Sequence, residues 1–367
     1  MNIRSESTIP NNDMPGRLPA GMGPLDSQRR LRLALLALVV VSQLMIGGSR
    51  VSAQTETRNP AVNCQDVRLP VSLQEGQPAN YEVAGKLCSK PGGKKVVHLL
   101  LHGATYSNVY WDFPLFPQFY SYVRSLTSAG YATLNIDRIG IGASSRPPAD
   151  QVTIQANTYV VHQLVQALRD GRIGSFSQVI LVGHSLGCGV ALSAQAQYGS
   201  ANGLILSGFL HAVGPGLVEF PTLIYPAQLD PRFASQNLPD GYFTTIPGMR
   251  SKFYFGPVAD PDVIARDEQT KETLTLGEIN TFPPLVVSPI DAQAIHVPVL
   301  FVIGSRDNVF CTPPDCPEAQ LESSLYPADA QVEVRVLPGT GHSLNLHFTA
   351  PVFFGIAREW SDRHFGN

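Results

Sequence analysis

The pentapeptide Gly183-His184-Ser185-Leu186-Gly187 constrains this chain more than any other segment. It follows the apolar run Val179-Ile180-Leu181-Val182 and precedes Cys188 to Ala196, which reads as a helix. A short apolar run bounded by glycine suits a buried strand. A strand that turns at once into a helix leaves little room beside the turn, and glycine meets that demand. Strand, G-x-S-x-G, helix is the nucleophile elbow, which lifts the Ser185 hydroxyl off the sheet edge. The Leu186 N–H then opens a helix, where unpaired donors favour developing negative charge. The bare pentapeptide pattern is common; its flanking strand and helix give it weight.

The rest of the chain supplies a setting for such a turn. Val67 to Leu73 and Ala79 to Leu87 read as extended stretches joined by Glu75-Gly76-Gln77-Pro78. Lys95 to Leu101 is a nearly continuous apolar run, as expected of a strand covered on both faces. A helix is expected over Phe116 to Ala129, a strand over Tyr131 to Ile136, and a helix over Thr153 to Leu168. Gly203 to Leu206 is the strand after the elbow helix. This alternation predicts an α/β fold, with a mostly parallel central sheet and helices on both faces. It breaks at 209–292, which is rich in proline and aromatic residues and shows no clear strand series. The best helix there is Pro261 to Thr275, with Asp260 as N-cap. The sheet pattern returns at Val297 to Gly304 and Val332 to Leu337, and Pro351 to His364 reads as a terminal helix. Residues 54–208 and 293–367 are therefore two parts of one core, and 209–292 is a cap or lid inserted between them.

The N-terminus reads as a leader. Arg29, Arg30 and Arg32 precede the apolar run Leu33 to Ile46, and small residues follow up to Val51-Ser52-Ala53. That order marks a secretory signal peptide with cleavage after Ala53. The run is short for a membrane span of about 20 residues and holds Ser42 and Gln43, so no stable anchor is expected after processing. The region before the run is long, and Met14 or Met22 is an alternative start to Met1. The five cysteines all lie beyond Ala53, as an exported, extracellular chain allows. Cys188 falls inside the elbow helix and reads as a buried free thiol. The other four allow three pairings; Cys64–Cys88 and Cys311–Cys316 are favoured. Net charge is −3 with 15% charged residues and no basic cluster past the N-terminus, which argues against a nucleic-acid partner. Neither C-x-x-C pairs nor clustered histidines suggest a metal.

From about residue 65 onward the chain resembles the α/β-hydrolase superfamily. The match rests on His102-Gly103-Ala104, on Gly183 to Gly187, and on the late Asp307 and His342, each at a strand end and in the order Ser, Asp, His. The resemblance implies that Ser185 is the nucleophile, His342 its base and Asp307 the orienting acid. His347 is a rival to His342, and Asp315 to Asp307. The oxyanion donors would be the Ala104 and Leu186 N–H groups. Thr105, Tyr106 and Trp111 are candidate pocket residues, beside aromatic residues of the cap. His102, His184 and His98 read as structural, and so does the glycine-rich turn from Asp137 to Ser144.

A serine at this position argues against the aspartate-nucleophile branches, the haloalkane dehalogenases and epoxide hydrolases. The expected activity is hydrolysis of a carboxylic ester, or a related acyl bond, of a small-to-medium apolar substrate without a cofactor. Lactonase, peptidase, perhydrolase, C–C hydrolase and acyltransferase activities use the same three residues, and a silent binding protein would keep the same pocket.

Overall fold

The continuous apolar runs form the middle of one eight-stranded sheet in a computed structural model that describes residues 61–257 and 259–366. In chain order the strands are β1 (Asn63–Val71), β2 (Tyr81–Ser89), β3 (Val96–Leu101), β4 (Ala132–Ile136), β5 (Gln178–His184) and β6 (Gly203–Ser207). There follow β7 (Ile224–Pro226), β8 (Tyr242–Thr245), β9 (Leu274–Thr275), β10 (Val299–Gly304) and β11 (Glu333–Leu337). The large sheet has the order β1-β2-β4-β3-β5-β6-β10-β11. β1, β2 and β4 pair antiparallel, and every pairing from β4 through β11 is parallel. All residues of β3, β4, β6 and β10 are buried. Such burial requires helices on both faces.

The strand order positions the site. From β3 the chain crosses one way to β4, then returns past β3 to β5 and continues outward to β6. Right-handed crossovers running in opposite directions put their helices on opposite faces. Between β3 and β5 the connecting loops therefore diverge, and a crevice opens at the carboxyl ends of the two strands. His102-Gly103-Ala104 leaves β3 there, and Ser185 leaves β5.

Three expectations need correction. The helix expected over 116–129 is two helices, Pro117–Tyr120 and Tyr122–Ser128. Ser121 between them is extended; its hydroxyl accepts from the Arg124 N–H and donates to Asp112, so it caps the second helix. The helix expected to reach Thr275 ends at Thr270, because Lys271 turns to extended backbone and Leu274–Thr275 becomes β9. Lastly, 209–292 does contain strands: β7, β8 and β9 form a small antiparallel sheet. Elements of three, four and two residues are too short to show an alternating pattern.

Cys64 and Cys88 face each other across the β1–β2 ladder with their sulfurs at bonding distance. The Cys311 and Cys316 sulfurs are likewise at bonding distance, and Cys188 is free and buried. Among the described residues no helix is long and apolar enough to cross a membrane. The leader and its cleavage after Ala53 lie outside the described residues.

Candidate active site

Ser185 stands between β5 and the helix Leu186–Tyr198, with φ 52° and ψ −121°. A residue bearing a Cβ is rarely held there unless its surroundings over-determine it. The surroundings do so. The Ser185 N–H donates to the Ser207 carbonyl at 2.9 Å, and the Cys188 N–H donates to the Ser185 carbonyl at 2.8 Å. A Cβ on Gly183 would lie 2.7 Å from the Cys188 backbone, and one on Gly187 would run into the Leu101 carbonyl. The two glycines are thus required by contact between β3, β5 and the helix. Ser185 itself is only 8% exposed.

His342 lies in the loop after β11, and its Nδ1 is 2.9 Å from Oδ2 of Asp307, which follows β10. Both side chains are buried. The other Asp307 oxygen accepts from the Val309 and Phe310 N–H groups at 2.8 and 3.2 Å. With Nδ1 engaged by a carboxylate, the free nitrogen of the ring is Nε2, and Nε2 is buried without a partner among the described residues. The His342 ring stands 4.9 Å from that of His184, the residue before the elbow serine.

The two rivals are placed otherwise. Asp315 is exposed. Nε2 of His347 accepts from the Gly256 and Gly341 N–H groups at 2.9 and 3.1 Å, and its Nδ1 faces the Ser343 carbonyl at 2.8 Å. Burial holds His347 at about 4, so it is neutral at pH 7 and its ring is fully used by backbone.

The loop after β3 packs flat against the elbow. A Cβ on Gly103 would sit 3.0 Å from the His184 ring and 3.1 Å from the Ser185 Cβ. The Gly103 carbonyl faces His102 Nδ1 at 2.9 Å, and the next N–H, that of Ala104, points the opposite way across the trans peptide. Among the described residues neither the Ala104 nor the Leu186 N–H donates to a protein acceptor. Arg138 holds this loop from behind: its N–H donates to His102 Nε2, and its Nε donates to the His102 carbonyl. The Arg138 guanidinium is fully buried and ion-paired with Glu278. Burial, then the charge of Arg138, keeps His102 neutral; burial, then His342, does the same for His184.

A cavity of about 300 Å³ opens on Ser185. Besides Ala104 and Leu186, its wall includes Leu217, Phe220, Phe253, Tyr254, Ile279, Phe282, Val286 and Phe310. Apart from Val309 and Phe310, the wall beyond the sheet loops comes from 213–287. Thr105, Tyr106 and Trp111 do not line it. Thr105 turns its hydroxyl to Tyr254 and Arg250, Tyr106 donates to or accepts from Ser343, and Trp111 packs on Tyr110, Tyr122 and Phe353. Arg138, Glu278 and Arg250 escaped the sequence reading. Their only signal was position: Arg138 lies inside the turn from Asp137 to Ser144, and Arg250 and Glu278 lie in the inserted segment. The Asp137 carboxylate accepts from the Ala143 N–H within its own turn and from the Asn108 N–H in the loop after β3.

Cys311, Cys316 and Glu318 draw close together. The two sulfurs are at bonding distance of one another, which leaves no thiolate for an ion.

Comparison with known proteins agrees with this architecture. A protein of Synechocystis sp. described as a non-heme chloroperoxidase is 24% identical over 264 residues, which is 67% of this chain and 84% of that one. A thermophilic esterase from Thermogutta terrifontis superposes with a TM-score of 0.55 at 19% identity, covering 82% of this chain and 99% of the esterase. A bromoperoxidase from Bacillus anthracis does so with a TM-score of 0.56 at 19% identity, covering 80% and 99%. Residues 99–354 match the family described as the alpha/beta hydrolase family, a span that runs from β3 to the terminal helix, and the chain belongs to that family.

Proposed function

We propose that the chain is a secreted serine esterase that hydrolyses carboxylic esters of small-to-medium apolar acyl groups. The observation that carries this reading is the Asp307–His342 pair, in which His342 Nε2 has no partner among the described residues and the ring packs on the cavity residues Tyr254 and Phe310. In this reading His342 Nε2 takes the Ser185 proton as Oγ attacks the ester carbonyl. Asp307 accepts the Nδ1–H, fixes the tautomer and stabilises the imidazolium. The Ala104 and Leu186 N–H groups receive the oxyanion, a task suited to two donors with no other acceptor among the described residues. Collapse expels the alcohol, which leaves with the proton held on His342. Water, deprotonated by the same nitrogen, then releases the acid. The segment 209–292 acts as a cap, since it supplies most of the apolar wall against which an acyl chain would lie. Export is supported by the leader pattern and by two cysteine pairs at bonding distance.

A panel of p-nitrophenyl esters of increasing acyl length, together with fluorophosphonate labelling, tests the reading. The expected result is a maximum at a short or medium chain and a label on Ser185. Absence of both turnover and label overturns it. Similarity to proteins described as haloperoxidases favours one second reading, in which hydrogen peroxide replaces water as acyl acceptor and a peracid leaves. Peracid formation that outpaces hydrolysis at equal acyl donor would favour it.

A further inference from the structure

We infer that Arg250, which lies in the segment between β6 and β10, is a positioning residue for the oxyanion loop. It sits on the short helix Arg250–Tyr254 and is fully buried. Its Nε and Nη2 grip both oxygens of Asp267 at 2.7 and 3.0 Å, and Asp267 is buried as well. The remaining arm, Nη1, donates to the Thr105 hydroxyl at 2.8 Å and to the Thr105 carbonyl at 3.2 Å. The guanidinium lies 4.4 Å from the centre of the Tyr106 ring and 4.8 Å from that of Tyr254.

Thr105 is the residue so gripped, and it has φ 59°. A β-branched residue in that region is strained and must be held there. Arg250 is one hold; the Glu272 N–H, which donates to the Thr105 carbonyl at 2.9 Å, is another. Tyr254 adds a third, with its hydroxyl 2.9 Å from Thr105 Oγ1 and 3.3 Å from the Ala104 carbonyl. Together these contacts fix the peptide planes on both sides of Thr105, directly after the Ala104 N–H. The same helix touches the His342 loop: the Ser343 N–H donates to the Tyr254 carbonyl at 3.0 Å, and the Tyr254 ring stacks on His342. A buried ion pair used only as glue gains little over apolar packing. The third arm, aimed at a strained residue beside the candidate oxyanion donor, is what a positioning role adds. Arg suits it because one rigid fork serves Asp267 and Thr105 at once, which lysine cannot do.

The inference rests on reading Ala104 as an oxyanion donor and Ser185 as the nucleophile. The test compares wild type with Arg250→Met/Asp267→Asn, which removes the clamp without leaving a lone buried charge, and with Arg250→Lys. Fluorophosphonate labelling taken to completion counts competent sites. The kcat per labelled site, the KM for p-nitrophenyl butyrate, and the affinity for a trifluoromethyl ketone that forms a tetrahedral oxyanion adduct are then measured. The double variant should lose about 10²-fold in kcat per site, the order seen when one oxyanion donor is removed. Ketone affinity should fall in parallel, with KM nearly unchanged, and Arg250→Lys should show a smaller loss in the same two quantities. A merely structural role would lower the number of competent sites and leave kcat per site and ketone affinity at wild-type values; that outcome overturns the inference. If the double variant does not fold, Arg250→Lys decides by the same criterion. A wild-type chain that takes no label overturns the Ser185 reading and this inference with it. A labelled wild type with unaltered variants overturns this inference alone.

Discussion

The turns at the carboxyl edge of the large sheet and the segment 209–292 build the site in different ways. Ser185 and Asp307 stand within three residues of a strand end, and the Gly183 and Gly187 contacts are backbone contacts. The 209–292 segment is a set of short helices and strands that reach the site mainly through side chains: Phe253, Tyr254, Phe282 and Val286 on the cavity, Arg250 on Thr105. A hydrogen-bonded sheet, with glycines where its turns pack closely, holds its ends to small tolerances through the backbone. A layer of side chains changes shape with each substitution. In the proposed reading the first region therefore performs the chemistry and the second selects what reaches it.

The strongest way to break this division is to strike the sheet edge. Ser185→Ala should keep the fold and lose about 10⁴-fold or more in kcat. Near-wild-type turnover of the purified variant would sink the assignment. Asp307→Asn preserves shape but leaves His342 in the wrong tautomer, and a loss of about 10⁴-fold in kcat is expected. Asp315→Asn, an exposed change eight residues along the same loop, should leave kcat as it is. If Asp315 proves the costly position, the loop from β10 must be rearranged in the working enzyme.

The same division explains what could be read from the sequence. Ser185, Asp307 and His342 announce themselves through a strand period followed by a turn, which is local information. The β3–β5 crevice follows from the alternation of strands and helices. The cavity wall does not follow, because Leu217, Phe253, Ile279 and Phe310 meet only after four separate segments fold together. Thr105, Tyr106 and Trp111 were sensible candidates by proximity in the chain. They fail because Thr105 turns back on itself at positive φ and the chain then dives beneath the elbow: Tyr110 stacks on His184 and Trp111 packs on Phe353. Arg138 and Arg250 were invisible for another reason. A buried arginine looks like a surface one until its partner, Glu278 or Asp267, is brought to it.

Acid offers a milder probe of how the two regions are joined. Neutral His347 accepts one N–H from Gly256 in the inserted segment and one from Gly341 in the sheet loop. Burial holds it at about 4, below the ordinary 6.5. Above pH 6.5 it is neutral folded or unfolded, and its contribution to stability is fully present. As the pH falls from 6.5 toward 4 the unfolded chain takes up a proton that the folded chain refuses, so stability is lost, by about 3 kcal/mol across the window. His98, held at about 3 by burial and then by Lys94, extends the loss to lower pH. Urea midpoints at pH 7 and pH 4.5 should show the drop, and His347→Gln should shrink the difference between them. A variant with the full wild-type pH dependence would show that this histidine is not the joint.

The smallest expected effect tests whether the inserted segment does the selecting. Val286 and Val218 both line the cavity, but Val286 is 1% exposed whereas Val218 is 71% exposed. Trimming a buried wall residue makes room for roughly one more methylene of an acyl chain, and one methylene in an apolar pocket is worth roughly tenfold in kcat/KM. Val286→Ala should therefore raise the kcat/KM ratio of a longer ester to a shorter one by about that factor. The kcat for the best substrate should hold, because Ser185, His342 and the loop at Ala104 are untouched. Val218→Ala removes the same two carbons from a place already open to water, and the ratio should not move. If Val286→Ala instead depresses all esters equally, its effect passes through the catalytic turns rather than through the acyl chain. The separation between a sheet that reacts and a segment that selects would then be wrong, and the contacts made by the Arg250–Tyr254 helix would be the first place to look for the connection.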